Sequence, residues 1–478
     1  MRHGRNNQVK RMLIICQQYK YKKRDKAACG TATTCPKHPE PARSTFLALM
    51  LVSTLISMPA VADDWLPPAD SEPATEAPAG DDGLELPPSE EMTEAQEFAT
   101  DGRTSAWRAW SDLYHEHGSK VRSSILGLSS SWSQSFGPQW QATANVDLDY
   151  TDTDPNTAGD TGWRLGLREL YLRHSAAGWW AEVGRINVRN GVATGYNPSD
   201  FMRAGAISAA RTRDPQRLRE SRLGAVQLRL GTRLADTEWV LSASPSIHDG
   251  RNPDWYDPRW GAVNGGASQH GLEISLPRWQ GVFSQLLWQH RGDIGNSIAA
   301  NVNASIGQAA IVYGEWARSP RPAIIELSRR ADVSSTHVHQ WAAGFSYTTE
   351  SRITFGLEWQ HNGAGLSRDE WLGDWQSADP AGLGRSFAEA STYSDPLSRD
   401  SVMVSMLWER FGHRNADLNC LWRRNQADRS HLGWCEWRYK GNEDEWSVAA
   451  SRLSGEQRSE FGALGQRWSV ALRWRHYW

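Results

Sequence analysis

Along most of the chain, apolar and polar side chains alternate with a period of two. Trp140, Ala142, Ala144, Val146, Leu148 and Tyr150 interleave with Gln139, Gln141, Thr143, Asn145, Asp147 and Asp149. Successive side chains of a strand point to opposite faces, so this stretch has one apolar and one polar face. The alternation returns at Trp239, Leu241, Ala243; at Ile298, Ala300, Val302; at Ile353, Phe355, Leu357, Trp359; at Val402, Val404, Met406, Trp408; and at Trp446, Val448, Ala450. Segments of roughly ten residues separated by polar, Gly- or Pro-bearing breaks have the length of strands tilted across a bilayer. Roughly 16 to 18 such segments follow Ser123, and an even number suits one chain closed on itself. The pattern predicts an all-β fold, a transmembrane antiparallel up-and-down β-barrel of 16 to 18 strands over residues 123–478. Ahead of it, Trp107, Trp110 and Tyr114 stand at near-helical spacing, which predicts a short amphipathic helix or linker over residues 103–122.

The chain ends inside such a pattern: Trp468, Val470, Leu472, Trp474, His476 and Trp478 share one face, and Ser469, Ala471, Arg473 and Arg475 the other. This end resembles the terminal strand of Gram-negative outer-membrane β-barrels, which the barrel-assembly machinery reads as a signal and which closes on an aromatic residue, most often Phe. Trp478 takes that place here, Trp474 lies on the same face, and His476 stands where an aromatic residue is more usual. The edge strand of a soluble sandwich is the alternative reading of these residues alone.

Arg43 precedes an apolar run from Phe46 to Met58, and Ala60-Val61-Ala62 follows. A charged flank, an apolar core of about a dozen residues and a small-x-small site make a secretory signal over 43–62, cleaved after Ala62. Residues 1–42 are basic and read as an extension from a misplaced start, so Cys16, Cys29 and Cys35 are expected to be absent from the mature protein. Cys420 and Cys435 then remain, on two strands joined by a turn near Ala427 and Asp428. A symmetric hairpin sets them opposite each other, where a disulfide can form in an oxidising compartment; two small apolar neighbours is the alternative.

The formal charge of −3 conceals three blocks. Residues 1–62 carry 11 bases against 2 acids, and residues 63–102 carry 13 acids and no base. The rest holds 41 bases (52 − 11) against 40 acids (55 − 2 − 13), which leaves no basic domain for nucleic acid. The acidic block is Pro-rich with few large apolar side chains, and is expected to be a disordered periplasmic tail. Hydrophobic content is only 39%, yet there are 26 Trp. A barrel with one apolar outer layer, a polar lumen and aromatic girdles reconciles the two. A soluble exported carbohydrate-binding β protein would instead gather its Trp in one cleft.

The longest break between strands, about Asn190 to Ser221, contains Tyr196-Asn197-Pro198-Ser199-Asp200. Its turn chemistry suits an infolded loop, with Asn197 and Asp200 as fixing residues and Asp200 paired with a nearby Arg. From Arg185 to Arg233 there are 10 Arg against 3 acids. Arg203, Arg211, Arg213, Arg217 and Arg219 on the loop, with Arg185 and Arg189 on the adjoining strand, are the candidates for an anion-selecting constriction. Arg as this chain's default base is the competing account, since Lys120 and Lys440 are the mature chain's only lysines.

In strand count, terminal aromatic strand and Arg surplus, residues 123–478 resemble the alginate-export type of outer-membrane barrel. That resemblance implies a monomeric conduit for a polyanionic polysaccharide, although the near-neutral barrel departs from a strongly cationic one. No Gly-x-Ser-x-Gly elbow and no His-Glu-x-x-His pair occurs, so catalysis is not expected, and no cofactor or metal is implied. His337 and His339 share a strand face; lumen residues are the expected reading, half of a metal site the alternative. The expectation is an outer-membrane channel for small or anionic solutes, monomeric or trimeric, in contact with outer-membrane lipids, lipopolysaccharide and the barrel-assembly machinery. An enzymatic or structural barrel is the alternative. N-terminal sequencing of the exported protein is expected to begin near Asp63; a start upstream of Arg43 would remove the signal assignment.

Overall fold

The structure, a computed structural model, describes residues 105–117, 122–153, 161–204, 212–247, 264, 266–463 and 468–478. The N-terminal extension, the signal with Ala60 and Ala62, the acidic tail and Arg211 lie outside the described residues. The first strands are β1 (Ser105–His117), β2 (Arg122–Phe136), β3 (Trp140–Thr153), β4 (Gly162–Ala176), β5 (Trp179–Ile186) and β6 (Ala225–Leu234). Next come β7 (Thr237–Ser244), β8 (Gln269–Ser275), β9 (Val282–Arg291), β10 (Gly295–Ile306), β11 (Ala310–Arg321) and β12 (Thr336–Thr348). The last are β13 (Ile353–Asn362), β14 (Asp400–Trp408), β15 (Ala416–Asn425), β16 (His431–Lys440), β17 (Asp444–Ser454) and β18 (Trp468–Tyr477). Each pairs antiparallel with the next, and β1 pairs with both β2 and β18, so 18 strands close into one ring.

The wall is turned inside out relative to a soluble barrel. On β3, Thr143, Asn145, Asp147, Asp149 and Thr151 are buried, facing inward, while the apolar positions of the same strand face out. Leu126, Leu228, Leu241, Leu286, Ile298, Phe345, Val404 and Leu472 are exposed on the outer face. Exposed Trp sit near both ends of the strands: Trp140, Trp179, Trp239 and Trp446 at the short-turn end, Trp163, Trp359, Trp422 and Trp468 at the other. An apolar band between two aromatic girdles is what a bilayer asks of a wall. Both ends of the described chain lie at the short-turn end, where β6 and β7 are joined through Ala235 and Asp236, both at positive φ as a tight hairpin requires.

Within the expected helix or linker over residues 103–122, residues 105–117 form a strand. β1 takes ten register positions on β18, from Arg108↔Tyr477 to His117↔Trp468, and eleven on β2. The spacing of Trp107, Trp110 and Tyr114 is outweighed by closure: without β1, β18 and β2 would expose unpaired backbone groups to lipid. The terminal strand is therefore paired on both sides. On its outer face Asp444 accepts hydrogen bonds from Trp474 Nε1 (2.9 Å) and His476 Nδ1 (3.1 Å), and His476 meets Trp478 edge-on at 4.7 Å.

At the long-loop end the chain builds a small helical layer that the period-two reading does not contain. It comprises α2 (Ile324–Arg329) between β11 and β12, and α3 (Arg368–Leu372), α4 (Asp374–Ser377) and α5 (Pro380–Tyr393) between β13 and β14; α1 (Pro215–Glu220) lies in the β5–β6 loop. Ser367 and Glu370 form a reciprocal capping box, and Asp379 caps α5 ahead of Pro380. The layer closes over Ile324, Ile325, Leu366, Trp371, Trp375 and Leu383. Arg458, from the β17–β18 loop, donates to the carbonyls of Trp375 (3.2 Å), Gln376 (2.5 Å) and Ala378 (3.0 Å).

Inside the wall, an aromatic ring from one strand lies over a glycine of the next: Trp180 over Gly231 and Tyr313 over Gly344. A Cβ at Gly231 would run into the indole of Trp180, so this pair fixes how closely β5 and β6 pack. Gly231→Val is expected to cost about 2 kcal/mol through overpacking, and Trp180→Ala in the same chain to restore part of it. The urea midpoint of the folded barrel in detergent reads this, and additive losses would break the link between the two positions.

Candidate functional site

Residues 187–204 leave β5 and residues 212–224 return to β6, its neighbour, and the first of these segments crosses the barrel interior. Glu358, on β13, is eight places from β5 (13 − 5) in a ring of 18 and therefore nearly opposite. Its buried carboxylate accepts from three consecutive loop amides, Thr194 (2.8 Å), Gly195 (3.0 Å) and Tyr196 (3.0 Å), and from the Tyr313 hydroxyl (2.9 Å). Glu315, on β11, accepts from Ala193 N (2.5 Å), Asn197 Nδ2 (3.0 Å) and Ser199 Oγ (2.8 Å). Two carboxylates thus supply the acceptors that the tight loop backbone cannot find in itself. Gly195 allows the approach, because a Cβ there would meet Gln360 Nε2 at 2.6 Å and the Met403 sulfur closer still.

A second tie joins the loop to the helical layer. Asp395 accepts from Arg203 (2.5 Å), Tyr196 Oη (3.1 Å), Arg321 (3.3 Å) and Gln340 (3.2 Å). Burial opposes the Arg203 charge, but the Asp395 carboxylate outweighs it and holds the guanidinium above its ordinary range. Burial, reinforced by Asp395, pushes the Tyr196 hydroxyl upward as well, so it stays a donor. Arg203 also lies over the Tyr196 ring at 4.7 Å, and Arg321 over Tyr393 at 3.9 Å.

The Arg proposed from sequence separate into different environments. Arg185 is 0% exposed and donates from Nε to Gly224 O (2.9 Å); Arg203 is the buried tie just described. Neither contacts a solvated path, so both leave the constriction set, because a guanidinium this buried must spend its donors on protein partners. Arg219 donates to Asn190 O (3.0 Å), binding the loop to itself. Arg217, on α1, reaches Glu445 (3.2 Å) and Glu436 (3.6 Å), which also meet Arg438, Arg473 and Arg475. Crowding by burial and by Arg475 and Arg438 lowers the Arg217 guanidinium from its ordinary range. Arg189 and Arg213 are half-buried on the same segment, and Arg213 is engaged in interactions of its own.

Asn197 and Asp200 fix the loop. Asn197 bonds Ala193 O (2.5 Å) and Glu315, and Asp200 pairs with Arg222 at 2.8 Å. Arg222, Glu315, Glu358 and Asp395 were not expected; the sequence signal for the two glutamates is a lone carboxylate on an inward face, between Gly314 and Trp316 and between Leu357 and Trp359. Cys420 stands directly opposite Cys435, and the structure joins them in a disulfide. His337 and His339 lie on the outer face, not in the lumen, because Gln340 between β12 neighbours points inward to Tyr196 (2.8 Å) and fixes the strand's phase. No group of three metal-ligating side chains occurs among the described residues.

The remaining inner wall carries charges of both signs in pairs, including Arg168 with Asp147 (2.7 Å), Arg173 with Glu182 (2.9 Å), and Arg229 with Glu182 (3.1 Å) and Glu273 (3.4 Å). A closed antiparallel barrel with an apolar exterior, a charged interior and an infolded loop is the class that fold and site define. No protein-family model and no curated protein matches the chain. Among solved structures, the chain is similar to Pseudomonas aeruginosa OccK8 (OprE), with a TM-score of 0.49 and 11% identity over 78% of this chain and 98% of that one. It is similar to Acinetobacter baumannii OccAB4 (TM-score 0.49, 8% identity, 79% and 98% covered) and to the Pseudomonas aeruginosa outer membrane protein OprD (0.48, 10%, 79% and 94%). Likeness at this level assigns neither family nor activity.

Replacing both anchors, Glu315→Gln with Glu358→Gln, turns acceptors partly into donors that face the loop's own N–H groups. Amide exchange at Thr194, Gly195 and Tyr196 is expected to accelerate about tenfold or more, since each lost charged hydrogen bond is worth about 1.5–3 kcal/mol. Exchange unchanged from the parent would show that the loop is held elsewhere.

Proposed function

We propose that the chain is a channel of the Gram-negative outer membrane that passes small polar or anionic solutes, with the infolded loop setting its bore. The observation that carries this is the crossing of the interior by residues 187–204, anchored on Glu315 and Glu358 inside a wall whose outer face is apolar. A polar interior serves water and solute, and a loop fixed across it narrows the path without closing the wall. In this reading the short turns and termini face the periplasm and the long loops face outward. Export would use the 43–62 signal, and insertion the barrel-assembly machinery acting on β18.

Charge selection falls to the cations that are only partly buried: Arg217 on α1 and Arg438 and Arg475 on the wall, with Arg189, Arg213 and Arg219 on the loop. Opposing acids in the same layer favour solutes small enough to pass between paired charges, and disfavour the bulky polyanion of an alginate-type exporter. Planar-bilayer conductance of the refolded chain from Asp63 onward, under a salt gradient, tests both levels. Discrete steps are expected, with a reversal potential on the anion side that moves toward cations in Arg217→Glu with Arg219→Glu. A folded barrel without steps removes the channel; steps with an unmoved reversal potential remove the role given to these Arg.

A further inference from the structure

The lumen does not use the outer face of β14 to β18, and that face is not uniform. A groove of about 570 Å³ runs there, lined by Val404, Met406, Gly433, Ala450, Val470 and the Cys420–Cys435 disulfide. Small residues carve it: a Cβ added at Gly433 would meet nothing within 4 Å. At the long-loop end the groove is bounded by Trp422, Trp468 and Arg452. Arg424, one outward step beyond Trp422, stands directly opposite His431 across β15 and β16. Among the described residues, no carboxylate pairs with Arg424 or Arg452.

The height of these cations matters as much as their charge. Trp girdles mark the boundary between hydrocarbon and headgroups. Arg424 lies about 7 Å beyond Trp422 along its strand, the distance of two residues. The same step recurs around the barrel, with His290 beyond Trp288 on β9, Arg318 beyond Trp316 on β11 and His361 beyond Trp359 on β13. Asp400, paired with His361 at 2.9 Å, and Asp152, exposed one step beyond Tyr150 on β3, are acids on the same rim.

We infer that the outer wall of β14 to β18 holds a phosphorylated, multiply acylated glycolipid of the outer leaflet, one acyl chain in the groove and a phosphate on Arg452 and Arg424. A guanidinium pairs with phosphate in two-point geometry, and an apolar slot directly beneath the cations matches a chain hanging from that headgroup. This rests on the outer-membrane reading above and adds to it a particular lipid at a particular place. The groove faces away from the lumen, so filling it should leave conduction alone.

The test is native mass spectrometry of the whole barrel extracted from outer membranes in mild detergent. The parent is expected to retain a bound glycolipid of that chemistry. Arg424→Gln with Arg452→Gln should lower its occupancy about tenfold, the loss of roughly one strong charged contact. Gly433→Leu, which fills the slot and keeps both cations, should do the same independently. Heat-modifiable migration and unchanged conductance show that each variant is folded. Glycolipid retained at the parental level in both folded variants overturns the inference, as does an ordinary glycerophospholipid bound in its place. An oligomer that Gly433→Leu dissociates would also overturn it, by giving the groove to a second copy of the chain. Recovery of the barrel outside the outer membrane would remove the outer-membrane reading itself, whereas an outer-membrane barrel without glycolipid removes this inference alone.

Discussion

A strand in hydrocarbon has no water to satisfy its backbone, so each N–H and C=O of the wall must find a partner in the wall. That constraint makes the seam between β1 and β18 the interaction on which the rest depends. With it, 18 strands form a ring with no edge; without it, two strands would present open ladders to lipid. It explains why residues 105–117 are extended despite aromatic spacing that suits a helix, and why the chain's last strand keeps its pairing on both sides almost to Trp478.

Closure in turn creates the interior problem. Strands that show apolar side chains to lipid must show polar ones to the inside, and polar groups buried there need partners. The structure meets this by bringing chain into the lumen. The β5–β6 loop offers bare amides to Glu315 and Glu358, while Asp395 gathers Arg203 and Arg321 at the junction with the helical layer. Each anchor therefore has two consequences: a satisfied buried carboxylate, and a loop held across the bore. The Arg surplus that first suggests a ring of free cations is largely consumed in this way, and the charges left only partly buried stand mostly beside acids of the wall.

The outer surface obeys different rules at different heights. Its middle is apolar and tolerant, its two Trp belts mark the interfaces, and its long-loop rim carries cations one step farther out. The groove beneath Arg452 combines an apolar slot and a basic rim within one short stretch of wall, which is why a lipid explains it better than chance roughness does.

What the sequence determined by itself is what depends on local periodicity. Alternation with period two, Trp at strand ends and the terminal aromatic strand specify a closed barrel with an apolar exterior, because each strand's two faces are written directly in its residues. The turn residues of Tyr196 to Asp200 marked the loop, and the hairpin spacing set Cys420 opposite Cys435. The helical layer was not read from the sequence, although the capping box of Ser367 and Glu370 and the Asp379-Pro380 pair carry its local signals. Tertiary structure alone decided the partners of the loop. Nothing near Thr194 in the chain indicates Glu358, 164 residues away, or that Arg203 ends buried on Asp395 while Arg217 reaches Glu445. A carboxylate's role is set by which amides and guanidinium groups arrive beside it, and around a closed ring that is fixed by geometry across the lumen, to which local pattern has no access.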